Sequence, residues 1–154
     1  MRNVLAGAAA GVVATVPMTV VMETLHERLQ GEVARPLPPR EVAEGLAVKF
    51  GVHGDLSERD MQNLTLALHV GYAALTGAFF SAMAPRNAAS GATAGALFGL
   101  GVWGTSYLGW LPAFGVRQPI TYDPVARTGL MIAAHVTWGT VAGLILAGTA
   151  SRRK

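Results

Sequence analysis

Four long runs without a single Asp, Glu, Lys or Arg constrain this chain more than any other feature: residues 3–22, 61–85, 87–116 and 128–151. A helix needs about 20 mostly apolar residues to cross a hydrocarbon core of about 30 Å, and each run is long enough. The charges, 14% of residues against 51% hydrophobic, are gathered between the runs. A soluble bundle would carry Lys and Glu along its wet helix faces, and these runs carry neither. The sequence predicts an all-α membrane protein with transmembrane helices over 4–26, 62–84, 88–111 and 127–150, in one integral membrane domain spanning 1–154. The first run follows Arg2 as a signal peptide would. It is longer, contains Pro17, and leads into Glu23-Thr24-Leu25-His26-Glu27-Arg28 without a small-x-small cleavage site, so it reads as a retained helix.

Four spans place both termini on one side of the membrane, together with the tight turn Pro85-Arg86-Asn87. The short polar segments there hold Arg2, Arg86, Arg152, Arg153 and Lys154 and no acid, a density that predicts cytoplasmic termini. The opposite side has more basic residues (Arg28, Arg35, Arg40, Lys49, Arg59, Arg117 and Arg127), but they are spread over longer loops and mixed with Glu and Asp. Despite a pI of 9.8, the net charge is only +3. The basic tail suits anionic lipid headgroups and not nucleic acid. Without cysteine the chain has neither disulfides nor thiolate metal sites.

The first loop, 27–61, is too long to be a bare connection. Leu37-Pro38-Pro39-Arg40 reads as a rigid extended element. Beyond it, Val42, Ala43, Leu46, Ala47 and Phe50 recur at helical spacing opposite Arg40, Glu41, Glu44 and Lys49. That pattern predicts a short interfacial helix that lies on the membrane or, by preference, caps the bundle. The loop 112–126, with Pro112, Pro119, Tyr122 and Pro124, is expected to be irregular and folded over the bundle mouth.

The chain also reads as two repeated helical hairpins, about 4–84 and 88–150. Gly7-Ala-Ala-Ala-Gly11 matches Gly91-Ala-Thr-Ala-Gly95, and His69-Val70-x-Tyr72-x-x-x-x-Gly77 matches His135-Val136-x-Trp138-x-x-x-x-Gly143. Small residues four apart, including Gly99 and the Gly139/Gly143 pair, let helix backbones approach closely in lipid. They predict tight packing, and they offer faces for a second copy or a partner subunit. The second and fourth helices then run in the same direction, with His69 and His135 at similar depth. Their imidazoles would face one another near the bundle centre if the halves pack about a pseudo-twofold axis. Glu23, His26 and Tyr107 gather towards the same end.

Ionisable groups inside a membrane are costly and point to function. Three readings of the histidines stay open. They fix packing by hydrogen-bonding a neighbouring helix. They bind a cofactor, as paired axial ligands of haem b or, with Glu23, as ligands of a divalent metal. Or they titrate, responding to external pH or relaying protons. The leading expectation is a chain without cofactor or catalytic residues. Tyr72 and Trp138, three residues after each histidine, are placed to stack on or shield the imidazoles. Gly99-Leu100-Gly101-Val102-Trp103-Gly104 spells GxGxxG but lacks the strand–turn–helix setting of a nucleotide site.

The order of these elements resembles the YagU-like family of bacterial inner-membrane proteins. The features shared are Gly7-x-x-x-Gly11-Val12-Val13, Leu37-Pro38-Pro39-Arg40, a His near the start of the second helix, Gly91-Ala-x-Ala-Gly95-Ala96-Leu97, and His135-Val136-x-Trp138. The resemblance implies an inner-membrane location and a link to survival in acid; the chain is expected to be a multi-pass protein without enzymatic activity that supports acid or envelope stress resistance. The chain departs from that pattern in a shorter first loop, and in Met131-Ile132-Ala133-Ala134 where a Glu would precede the fourth-helix His.

Overall fold

The computed structural model describes residues 4–28 and 36–151, with side chains described up to Thr149. Arg2, Arg35 and the Arg152-Arg153-Lys154 tail lie outside these residues. All the regular structure among the described residues is helical: α1 (Val4–Arg28), α2 (Pro38–Lys49), α3 (Glu58–Phe80), α4 (Ala88–Gly104), a π-helical turn (Thr105–Trp110), α5 (Leu111–Ala113) and α6 (Val125–Ser151). Three of the helices, α1, α3 and α6, are each long and apolar enough to cross a membrane. The fourth uncharged run is divided. α4 ends at Gly104 and the chain continues through the π-helical turn, where Gly109 leaves helical geometry at φ −110°, ψ −105°.

Local chemistry sets the other boundaries. The second long helix starts at Glu58, four residues before its predicted start, because Ser57 and Asp60 form a reciprocal capping box. Asn87 caps α4 by accepting from the Ser90 amide at 2.8 Å. Pro38 and Pro39 do not form an extended element. They open α2, where a missing N–H costs nothing, and only Leu37 before them is extended.

α1 packs against both α3 and α6, and α6 packs against α4. Glycine sets the spacing along these seams. A Cβ added to Gly7 or Gly11 would overlap the carbonyls of Gly77 and Ala73, and one on Gly91, Gly95 or Gly99 would overlap those of Gly143, Gly139 and His135. Rising numbers on one helix meet falling numbers on its partner, so α3 is antiparallel to α1, and α4 to α6. Ala10, Phe80, Ala84 and Leu146 share one cluster, and Met18, Met22, Leu130 and Met131 share another, which also makes α6 antiparallel to α1. α3 and α6 therefore run the same way, as predicted. The small-residue faces, open in sequence to use within or between chains, are occupied within this one. The backbones of α3 and α4 stay apart; the Phe98 ring lies on Phe79 and Phe80, and beyond α4 Tyr72 meets Ser106 and Trp110 of the π-helical turn.

α2 caps one end of the bundle. Ala43 and Ala47 are buried against Met61 of α3, and Arg40 grips Glu58 through both carboxylate oxygens at 2.6 and 2.8 Å. Phe50, predicted on the packed face, is instead 74% exposed at the helix end. On the other side of α2, Gly45 lies directly beneath the Val116 carbonyl. Glu41 binds two guanidinium groups, Arg127 at 3.0 Å and Arg117 at 3.1 Å. Arg117 also bonds Asp123 at 2.5 Å and lies 5.1 Å over the Tyr107 ring. The loop after α5 is thus pinned onto the cap.

Candidate functional site

Under the cap lies a cavity of about 160 Å³ to which every long helix contributes. α3 gives His69, Tyr72, Ala73 and Thr76; α6 gives Met131, His135 and Trp138; α1 gives Met18. The π-helical turn gives Ser106, Tyr107 and Trp110, and α2 closes the top with Pro39, Val42 and Leu46. The two histidines singled out by the repeated pattern thus share one cavity. Tyr107 joins them, its ring meeting His135 edge-on at 5.9 Å.

The two imidazoles differ in setting. His135 is 7% exposed, and its Nδ1 lies 2.8 Å from the Met131 carbonyl one turn back. A carbonyl can only accept, so Nδ1 carries the hydrogen in that bond and Nε2 of the neutral ring keeps its lone pair. His69 is half-buried, and its Nε2 is buried without a hydrogen-bond partner. His69 also borders a second hollow of about 400 Å³, mostly apolar in its lining (Met22, Pro36, Leu37, Leu66), with Arg40, Glu58 and Gln62 among its polar residues. Its imidazole stands between this outer cleft and the inner cavity.

Glu23 and His26 do not join them. Glu23 is exposed and His26 half-exposed near the end of α1, and neither lines the cavity. Among the described residues no group of three or more His, Cys, Asp or Glu side chains is placed to hold a metal ion, so the predicted Glu23–His69–His135 set is not assembled. The predicted aromatic partners also differ. The Trp138 indole does not cover an imidazole; it donates to the Gly11 carbonyl at 2.9 Å and so ties α6 to α1. Tyr72 reaches across to the Ser106 hydroxyl at 2.9 Å.

Two features of the site escape a sequence reading. Arg127, 1% exposed, reads in sequence as a loop charge at a membrane boundary, yet it is buried between Glu41 and the Pro36 carbonyl. Only the folded cap brings Glu41 to it. The π-helical turn widens the backbone just where Ser106, Tyr107 and Trp110 line the cavity, as π segments often do at functional sites. Its signal, Gly104 and Gly109 around an aromatic stretch, is legible only afterwards. No family model, curated protein or solved structure matches the chain.

Proposed function

We propose that this is a multi-pass protein of the bacterial inner membrane, without enzymatic activity, which supports survival in acid through the His69/His135 cavity. The observation that carries the reading is the position of His69, between an outer cleft that includes Arg40, Glu58 and Gln62 and an inner cavity that also includes His135. Protons reaching the cleft meet one imidazole there and a second beyond it. Two imidazolium ions on one small apolar cavity repel and demand water, so acid biases the site towards an opened cap. The resemblance to the YagU-like family points to the same physiology.

Four spans in two repeated hairpins, with cytoplasmic termini, complete the proposal. Supporting the fourth span, the helical path from Ala88 to Ala113 carries no charge, and Leu97, Leu100 and Leu108 project from it exposed. Supporting the repeat, Gly7 on Gly77 and Gly11 on Ala73 correspond to Gly91 on Gly143 and Gly95 on Gly139. The halves differ at one pair of seams: α1 and α6 pack with their backbones close, whereas α3 and α4 make few backbone contacts. The test is acid survival of cells carrying His69→Gln and His135→Gln together, at protein levels equal to wild type. The expected outcome is loss of the protection; unchanged survival overturns the reading.

A second reading, a haem- or metal-binding subunit, draws support from His135, whose Nδ1 bond orients Nε2 as metal-ligating imidazoles are oriented. The cavity of about 160 Å³ has room for a single six-membered ring, so a haem would need the cavity to widen. An absorption spectrum and metal analysis of the purified protein, compared with His69→Ala and His135→Ala, separate the two. A Soret band or bound metal lost in both variants favours the second reading.

A further inference from the structure

The cavity has room for one benzene ring, its walls are mostly apolar and aromatic, and yet two imidazoles are among its lining residues. An engineered apolar cavity of about 150 Å³ takes up benzene, so about 160 Å³ lined by Met18, Ala73, Val102, Trp110 and Met131 is suited to an aromatic ring. Two polar facts restrict which ring. With its hydrogen committed to the Met131 carbonyl, neutral His135 offers Nε2 as an acceptor. His69 Nε2 is buried with no partner, and a buried polar atom left unpaired costs about 1–3 kcal/mol. A ring bearing a hydroxyl supplies a donor for His135 Nε2, and a second hydroxyl, able to donate or accept, can pair with His69 Nε2 in either tautomer. We propose that the cavity is a binding site for a single hydroxylated aromatic ring, of the phenol or hydroquinone class, which donates its O–H to His135 Nε2; a second hydroxyl would reach the His69 side.

The way in is the open seam between α3 and α4. The backbones of these neighbours stay apart, and across the gap Tyr72, 37% exposed, is held only by its hydroxyl contact with Ser106 and its ring contact with Trp110. Both contacts are made by side chains that line the cavity, and one rotation of Tyr72 breaks them. The seam faces lipid on the four-span reading, so entry from the bilayer rests on that reading. The chemistry of the site does not, and a ligand would occupy it whether or not the histidines serve acid survival.

The test uses purified wild-type protein in detergent micelles, 19F NMR, and two probes of nearly equal shape, 4-fluorophenol and 1,4-difluorobenzene, with empty micelles as background. One hydrogen bond to a buried acceptor predicts that 4-fluorophenol binds about tenfold more tightly, and that His135→Leu abolishes this preference while the difluorobenzene still binds. Equal affinities in wild type, no saturable binding above the micelle background, or an undiminished preference in His135→Leu overturns the proposal. Should the variant fail to fold, the wild-type ratio alone decides. Displacement by 2-decylhydroquinone then identifies the source. If it acts far below the phenol concentration, the ligand is a membrane quinol with its tail in the α3–α4 seam; if it needs a similar concentration, the ligand is a free phenol. The binding ratio is read independently of cell survival, so this proposal and the acid reading fail separately.

Discussion

Glu41 shows what single residues contribute under the cap. Its carboxylate is shared by Arg117 and Arg127, whose side chains are 6% and 2% exposed. Removing one partner of a buried ion pair leaves the other charge desolvated and costs about 3–5 kcal/mol. Glu41→Gln keeps an acceptor, so we expect a loss of about 2 kcal/mol, read as a lowered unfolding midpoint in mixed micelles. Burial alone would lower the proton affinity of Arg117, but the Asp123 and Glu41 carboxylates more than offset this and hold it above the usual guanidinium range. A folded-state pKa raised in this way contributes stability that Arg117's own titration removes only as pH rises through that range. Arg117 itself stays charged throughout the acid range, so its titration does not loosen the cap. The histidines were legible in sequence because a charge-capable side chain in an uncharged run stands out. Arg127 was not, because a charge between loops looks solvated until the fold buries it.

At the scale of elements, the helix seams follow from glycine spacing, and this was the most legible level. The Gly91/Gly95/Gly99 face meets α6 at Gly143, Gly139 and His135. Gly95→Ala should force α4 from α6 and cost about 2 kcal/mol or more. Gly101→Ala, where an added Cβ meets nothing within 4 Å, should be neutral or slightly stabilising. Equal effects of the two substitutions on the thermal midpoint would remove the seam as the cause. Element ends were less legible where side chains decide them. The Ser57–Asp60 capping box carried α3 back over Glu58, Arg59 and Asp60, residues whose charges had argued for a loop. The end of α4 in a π-helical turn had no counterpart in the hydropathy pattern, which continues unbroken to Val116.

At the scale of the molecule, the lack of cysteine makes topology directly measurable. Single cysteines replacing Gly54 and Tyr122, both exposed at the capped end, should react with an impermeant maleimide from one side of the membrane. A cysteine replacing Arg86, in the turn before α4, should react only from the other. With cytoplasmic termini the first two are labelled in intact cells whose outer membrane has been permeabilised. Labelling of all three from one side would overturn the four-span arrangement. The direction of the long helices and the sharing of one cavity by His69 and His135 were readable from the repeated pattern. The unequal seams were not, because Trp138 and Tyr72 occupy matching positions yet choose different partners, Gly11 on a neighbouring helix and Ser106 across a gap.

The Trp138 bond to Gly11 joins the last long helix to the first, across almost the whole chain. α1 precedes α6 in the chain, and its α6 face has no partner until α6 has been made. Contacts between segments so distant in sequence form late. Until then the Ala10, Ala14 and Met18 side of α1 lacks its partner. A nascent chain halted before residue 125 would lack the helix that completes the bundle, and would leave this side of α1 uncovered.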